Sequence, residues 1–175
     1  MKKTLSVLAL CLCSSAAMAA IINFEGVVNG PGTCPIDVVT PGGPSLPLVK
    51  LGSFNTFNFD TVGQETTAQR FALRIPASCV SGTQNARATF QAGYGADPIN
   101  PDLYALRDGL GYSTGLGLAI NDLTTRLKPN TESMPYEVKD TGDTDMVFFA
   151  RLVTTSKDVT EGQIDTNISF AVDIR

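Results

Sequence analysis

Residues Gln163 to Ile174 (QIDTNISFAVDI) alternate apolar and polar side chains almost without a break, and only Arg175 follows them. A period of two is the mark of a strand with one buried face. No turn signal and no further strand come after it in the sequence to cover its edge. A long apolar edge strand is a template for association unless something pairs with it. A second alternating run, Ile21 to Val28, stands near the other end and is set off by Asn29-Gly-Pro-Gly32 ahead of Cys34. A spare strand at one end and an open edge at the other imply that each copy of the chain completes the next.

Residues 1–19 have the three parts of a secretory signal: Lys2 and Lys3, the apolar run Leu5 to Leu12, and the small-x-small site Ala17-Met18-Ala19. The apolar run is far shorter than the ~20 residues of a membrane span. Cleavage removes two of the 13 basic residues and none of the 17 acidic ones, taking the net charge from −4 to −6. An acidic chain without a basic block is a poor partner for nucleic acid. Cys11 and Cys13 leave with the signal, so Cys34 and Cys79 remain. Two cysteines in an exported chain read as one disulfide. Closing a loop of about 46 residues is worth roughly 4 kcal/mol in the chain-entropy model. The chain has no His, which removes His-based triads, His-ligated zinc and histidine proton shuttles.

Strand periodicity continues through the middle of the chain. Phe71, Leu73 and Ile75 alternate, as do Ala86, Ala88 and Phe90, then Leu116, Leu118 and Ile120, then Met146, Phe148, Ala150 and Leu152. Ser81-Gly82, Asp97-Pro98, Lys128-Pro129-Asn130 and Asp140-Thr-Gly142-Asp143 separate them as turns. Many short punctuated strands indicate one all-β antiparallel sandwich or barrel. Only Pro101 to Asp108 fits a helix, with Asn100 as cap, and it fits a strand through Tyr104 and Leu106 as well.

No motif points to chemistry. Gly109-Leu-Gly111-Tyr-Ser-Thr-Gly115 has one residue too many for a dinucleotide fingerprint and lacks a βαβ unit around it. Asp140, Asp143 and Asp145 miss the EF-hand spacing. Asn167-Ile-Ser169 fits the glycosylation triplet but lies mid-strand. Glu25 and Glu161 have no evident partner for acid–base work. The expectation is a protein that is not an enzyme and needs no cofactor or metal.

In its order of segments the chain resembles the subunits of chaperone–usher fimbriae, the type 1 and P-pilus class. Ile22-Asn-Phe-Glu-Gly26-Val-Val28 ahead of Cys34 is similar to the N-terminal extension of that family, and Val49-Lys-Leu-Gly52 to its apolar-Gly segment. Phe71 to Ile75 leading to Cys79, and Thr114-Gly-Leu-Gly-Leu-Ala-Ile120 with Asn121-Asp122, resemble its middle segments. Phe149 to Val153, Val159-Thr-Glu-Gly162 and Ser169 to Val172 resemble its closing strands. Where such subunits commonly carry a penultimate Tyr, this chain has Ile174.

The resemblance implies an incomplete immunoglobulin-like antiparallel sandwich lacking its final strand, completed by a donor strand from a neighbouring subunit. It divides the chain into 1–19 signal peptide, 20–32 donor-strand extension and 33–175 pilin domain. The donor residues would be Ile22, Phe24, Gly26 and Val28, and the acceptor groove Ile164, Ile168, Phe170, Val172 and Ile174. A Cys34–Cys79 disulfide would tie the first strand to the second. The partners implied are identical or related pilin subunits, a periplasmic pilus chaperone and an outer-membrane usher. The chain would pass through the periplasm to a fimbrium on the bacterial surface and support adhesion. A self-complete secreted β-sandwich that binds a ligand is the competing expectation, and a terminating or adaptor minor pilin is another.

Overall fold

The alternating runs fold into two packed antiparallel sheets. The computed structural model describes residues 34–175, so the expected signal and donor extension, with Ile22, Phe24, Gly26 and Val28, lie outside the described residues. The strands are β1 (Asp37–Val39), β2 (Gln69–Ile75), β3 (Thr83–Ala92), β4 (Leu116–Asn121), β5 (Arg126–Leu127), β6 (Tyr136–Lys139), β7 (Thr144–Thr154) and β8 (Ile168–Ile174). One sheet has the order β1-β2-β7-β4-β5 and the other β6-β3-β8. Every strand pair is antiparallel.

The inward faces are those the alternation marks. Phe71, Leu73 and Ile75 on β2 and Met146, Phe148 and Leu152 on β7 are buried, and so are Ala86, Ala88 and Phe90 on β3. Aromatic rings join the two layers. Phe71 and Phe148 are cross-strand partners in the first sheet, with ring centroids 5.7 Å apart. Phe90 of the second sheet meets Phe148 edge-on at 5.0 Å and Phe71 at 6.0 Å. Tyr136 of β6 lies 5.6 Å from Phe148, and its hydroxyl crosses the layers to donate to the Val147 carbonyl at 2.7 Å. Burial pushes that phenol's pKa up, which keeps it a donor. Edge-to-face pairs add about 0.5–1.5 kcal/mol each beyond area burial.

Polar side chains hold the connections. Asp122 is buried and accepts from the amides of Thr124, Thr125 and Met134, each at 2.8 Å. Burial alone would raise its pKa, but these donors favour the carboxylate and leave it lowered. The three aspartates around Gly142 have separate structural duties. Asp140 accepts from Gly82 N–H at 2.9 Å and Asp143 from Ala77 N–H at 3.0 Å. Asp145 takes Arg74 in a fork at 2.7 and 2.8 Å, and that guanidinium holds its carboxyl below the usual range. Cys34 and Cys79 form a disulfide with their Cα atoms 5.6 Å apart.

Pro101 to Asp108 is neither helix nor regular strand. Tyr104 exchanges two backbone hydrogen bonds with Leu118, at 2.8 and 2.9 Å, and the ladder goes no further. Leu103, Tyr104 and Ala105 are all buried. Leu103 packs with Ala119 and Val153 while Tyr104 belongs to the main core. A helix with one buried face cannot bury three consecutive residues in two separate clusters, whereas a short extended piece can.

Phe148 contacts the aromatic rings of both sheets, so Phe148→Ala should cost about 3–5 kcal/mol. Urea denaturation would show this as a lower midpoint with an unchanged slope. A cost as small as that of a surface substitution would mean that the sheets are not joined through this ring.

Candidate strand-acceptor site

The C-terminal strand β8 lies at the edge of the three-stranded sheet and, among the described residues, pairs only with β3. The register sets Ala86 against Ile174, Ala88 against Val172, Phe90 against Phe170 and Ala92 against Ile168. Asn85 and Arg175 exchange both backbone bonds, at 2.8 and 2.9 Å, and Gly93 N–H donates to the Asn167 carbonyl at 2.8 Å. In an antiparallel ladder hydrogen-bonded pairs alternate with non-hydrogen-bonded ones. The odd-numbered residues of β8 therefore turn their peptide groups toward β3. Those of Ile168, Phe170, Val172 and Ile174 point toward the outer edge.

The side chains of the same four residues point inward. Each is half-buried and packs against the core cluster, whereas Ser169, Ala171 and Asp173 between them are exposed. Their cross-strand neighbours on β3 are Ala86, Ala88, Phe90 and Ala92, three of them small. Leu46, Val49, Leu51 and Phe54 are partly buried against the same core but belong to no strand. Val49 and Leu51 belong to the apolar-Gly segment expected at Val49 to Gly52.

The fifth expected groove residue, Ile164, also packs against the core while half-exposed, but outside the ladder. The expected strand over 163–174 is regular only from Ile168. Residues 163–166 are held instead by the segment 105–113. Gln163 N–H donates to Gly111 C=O at 2.8 Å, Ser113 N–H to Gln163 C=O at 2.9 Å, and Arg107 N–H to Asp165 C=O at 2.8 Å. The Thr166 hydroxyl donates to Ala105 C=O at 2.9 Å, and the Arg107 guanidinium lies 4.7 Å above the Tyr112 ring.

This arrangement offers main-chain donors and acceptors above an apolar row. Its fitting occupant is an extended backbone with alternating apolar side chains. The charged groups nearby stay on the outer face, where Arg175 pairs with Glu132 at 3.0 Å and Arg87 with Glu132 at 3.7 Å. Among the described residues no group of Cys, Asp or Glu is arranged to hold a metal ion.

Comparison with known proteins gives consistent matches. A family model described as Fimbrial protein matches residues 22–175. The S-fimbrial protein subunit SfaG of Escherichia coli is 26% identical over 167 residues, covering 92% of this chain and 86% of that one. A Burkholderia pseudomallei antigen and type I fimbria protein of solved structure shares 24% identity at a TM-score of 0.59, over 81% of this chain and 98% of its own. The P pilus rod subunit PapA shares 14% identity at a TM-score of 0.62, over 81% and 99%. These two structural likenesses establish the fold, the incomplete immunoglobulin-like sandwich of such subunits.

The alternation along β8 has a direct readout. With residues 20–32 deleted, the amides of Ile168, Phe170, Val172 and Ile174 should exchange with solvent deuterium much faster than those of Ser169, Ala171 and Asp173. Protection that is uniform along the strand would show that the outer edge is occupied.

Proposed function

This chain belongs to the fimbrial protein family and is a structural subunit of a pilus, and we propose that it polymerises by strand exchange between copies. The observation that carries the mechanism is the coincidence on β8: the residues with inward apolar side chains are those whose peptide groups face the outer edge. A donor strand laid there would satisfy both at once.

The donor in this reading is the 20–32 segment of another subunit, with Ile22, Phe24, Gly26 and Val28 turned inward. Ile22 to Val28 is seven residues, as long as β8. Antiparallel addition, the pairing of all the named strands among the described residues, sets Ile22 against Ile174, Phe24 against Val172, Gly26 against Phe170 and Val28 against Ile168. Parallel addition with Gly26 against Phe170 would bring Ile22 opposite Thr166 and leave Ile174 uncovered. The antiparallel register gives the largest acceptor side chain the donor residue without one. Completing burial of four half-buried side chains is worth roughly 1 kcal/mol each, and the added ladder contributes further hydrogen bonds.

The route belongs to the same reading. Residues 1–19 direct export, and the open edge is held by a periplasmic chaperone until an outer-membrane usher passes the subunit into a surface fimbrium that supports adhesion. Protection in transit is a physical need, because an uncovered apolar edge aggregates. In this reading the chain works as a building block.

Two experiments test the exchange. A peptide copying Ala20 to Gly30 should raise the melting temperature of the mature chain lacking residues 20–32, and the same peptide with Ile22 and Phe24 changed to Asp should not. A truncated chain that is highly stable and indifferent to the peptide would sink the mechanism. For the register, Gly26→Leu should abolish the detergent-resistant ladder of assembled subunits, and Phe170→Ala in the same chain should restore part of it. Restoration by Val172→Ala instead would move the register by two residues.

A further inference from the structure

A second contact between copies is built into two loops that lie outside the β3–β8 ladder. Leu110 is fully exposed at the tip of the segment 105–113. It stands between Gly109 and Gly111, whose φ angles of 120° and 88° let the backbone turn sharply enough to project it. The base is fixed: Tyr112 N–H donates to Gly109 C=O at 3.1 Å and Gln163 N–H to Gly111 C=O at 2.8 Å. Beside the leucine, the exposed Asp108 carboxylate bonds its neighbour Gly109 N–H at 2.7 Å and pairs with no cation among the described residues.

The complement lies at the open side of β2. A depression there is lined by Leu46, Leu48 and Val49 together with Lys50 and Arg70. β1 stops at Val39, opposite Ala72, and residues 46–50 belong to no strand. Leu48 on its rim is exposed. Among the described residues neither Lys50 nor Arg70 has a carboxylate partner, and the Arg70 guanidinium rests 5.9 Å from the Phe149 ring. An apolar hollow flanked by two unpaired cations thus matches an apolar knob flanked by an unpaired carboxylate.

We propose that Leu110 of one subunit docks in the Leu46–Leu48–Val49 depression of another, with Asp108 facing Lys50 and Arg70. The two surfaces are different patches of one molecule, so the contact is heterologous and propagates along an assembly instead of closing a dimer. It involves no donor strand and adds a salt-sensitive contact to a chain of exchanged strands.

Engineered cysteines test it, since Cys34 and Cys79 are already joined. Fibres of the chain carrying both Leu110→Cys and Leu48→Cys should give a reducible crosslink between subunits under mild oxidation. Fibres carrying either change alone should give none. Leu110→Lys should leave the detergent-resistant ladder intact but make the fibre extend at lower salt than the parent. An intact ladder with no crosslink from the double variant, or crosslinks from Leu110→Cys alone, would overturn the docking. Loss of the ladder in the unaltered chain would instead count against strand exchange. The docking is then read from sedimentation of the concentrated soluble chain, where equal self-association of parent and Leu110→Lys would overturn it.

Discussion

The antiparallel register between β3 and β8 governs the working edge of this molecule. Peptide groups and side chains both alternate along a strand, and the register decides which peptide groups face which way. Here it turns the peptide groups of Ile168, Phe170, Val172 and Ile174 outward and their side chains inward. Shifting the pairing by one residue would bury Ser169, Ala171 and Asp173 and expose the apolar row. The same shift would break the reciprocal bonds between Asn85 and Arg175. Apolar burial and backbone pairing therefore select one alignment together.

A sandwich with an uncovered edge needs a core that holds without it. The rings of Phe71, Phe90, Tyr136 and Phe148 supply that core away from the edge, with Phe148 at their centre. The pairings of β2 with β7 and of β4 with β7 lie in the sheet that β8 does not join. The aromatic contacts between sheets thus survive whatever happens at the outer edge of β8.

Much of this was legible in the chain. Alternation alone located β2, β3, β4, β7 and β8, because each has a clean inward face of Phe, Leu, Ile, Met or Ala. The order of strands was not legible, since β7 sits between β2 and β4 through pairings that span much of the sequence. The extended piece at Tyr104 was ambiguous because its three buried residues are consecutive and follow neither period. On β8, the inward side chains of Ile168, Phe170, Val172 and Ile174 follow from periodicity. Leu46 and Phe54 do not, because they pack against the core from segments without a ladder, where no repeat announces them. Ile164 packs where the alternation placed it, but the chain around it is held by residues 105–113 instead of by β3.

The disulfide has a mechanical consequence. Cys34 stands at the start of the described residues, just after the segment proposed as the donor, and it is bonded to Cys79, just beyond the end of β2. A pull along the chain from residues before Cys34 reaches a covalent branch before it reaches β1. Part of the load then passes directly to the stretch joining β2 and β3. The three-residue β1, which alone could be peeled from β2 one pair at a time, is shielded from carrying the tension by itself. Force entering the domain there is shared between both sheets, because β2 belongs to one and β3 to the other.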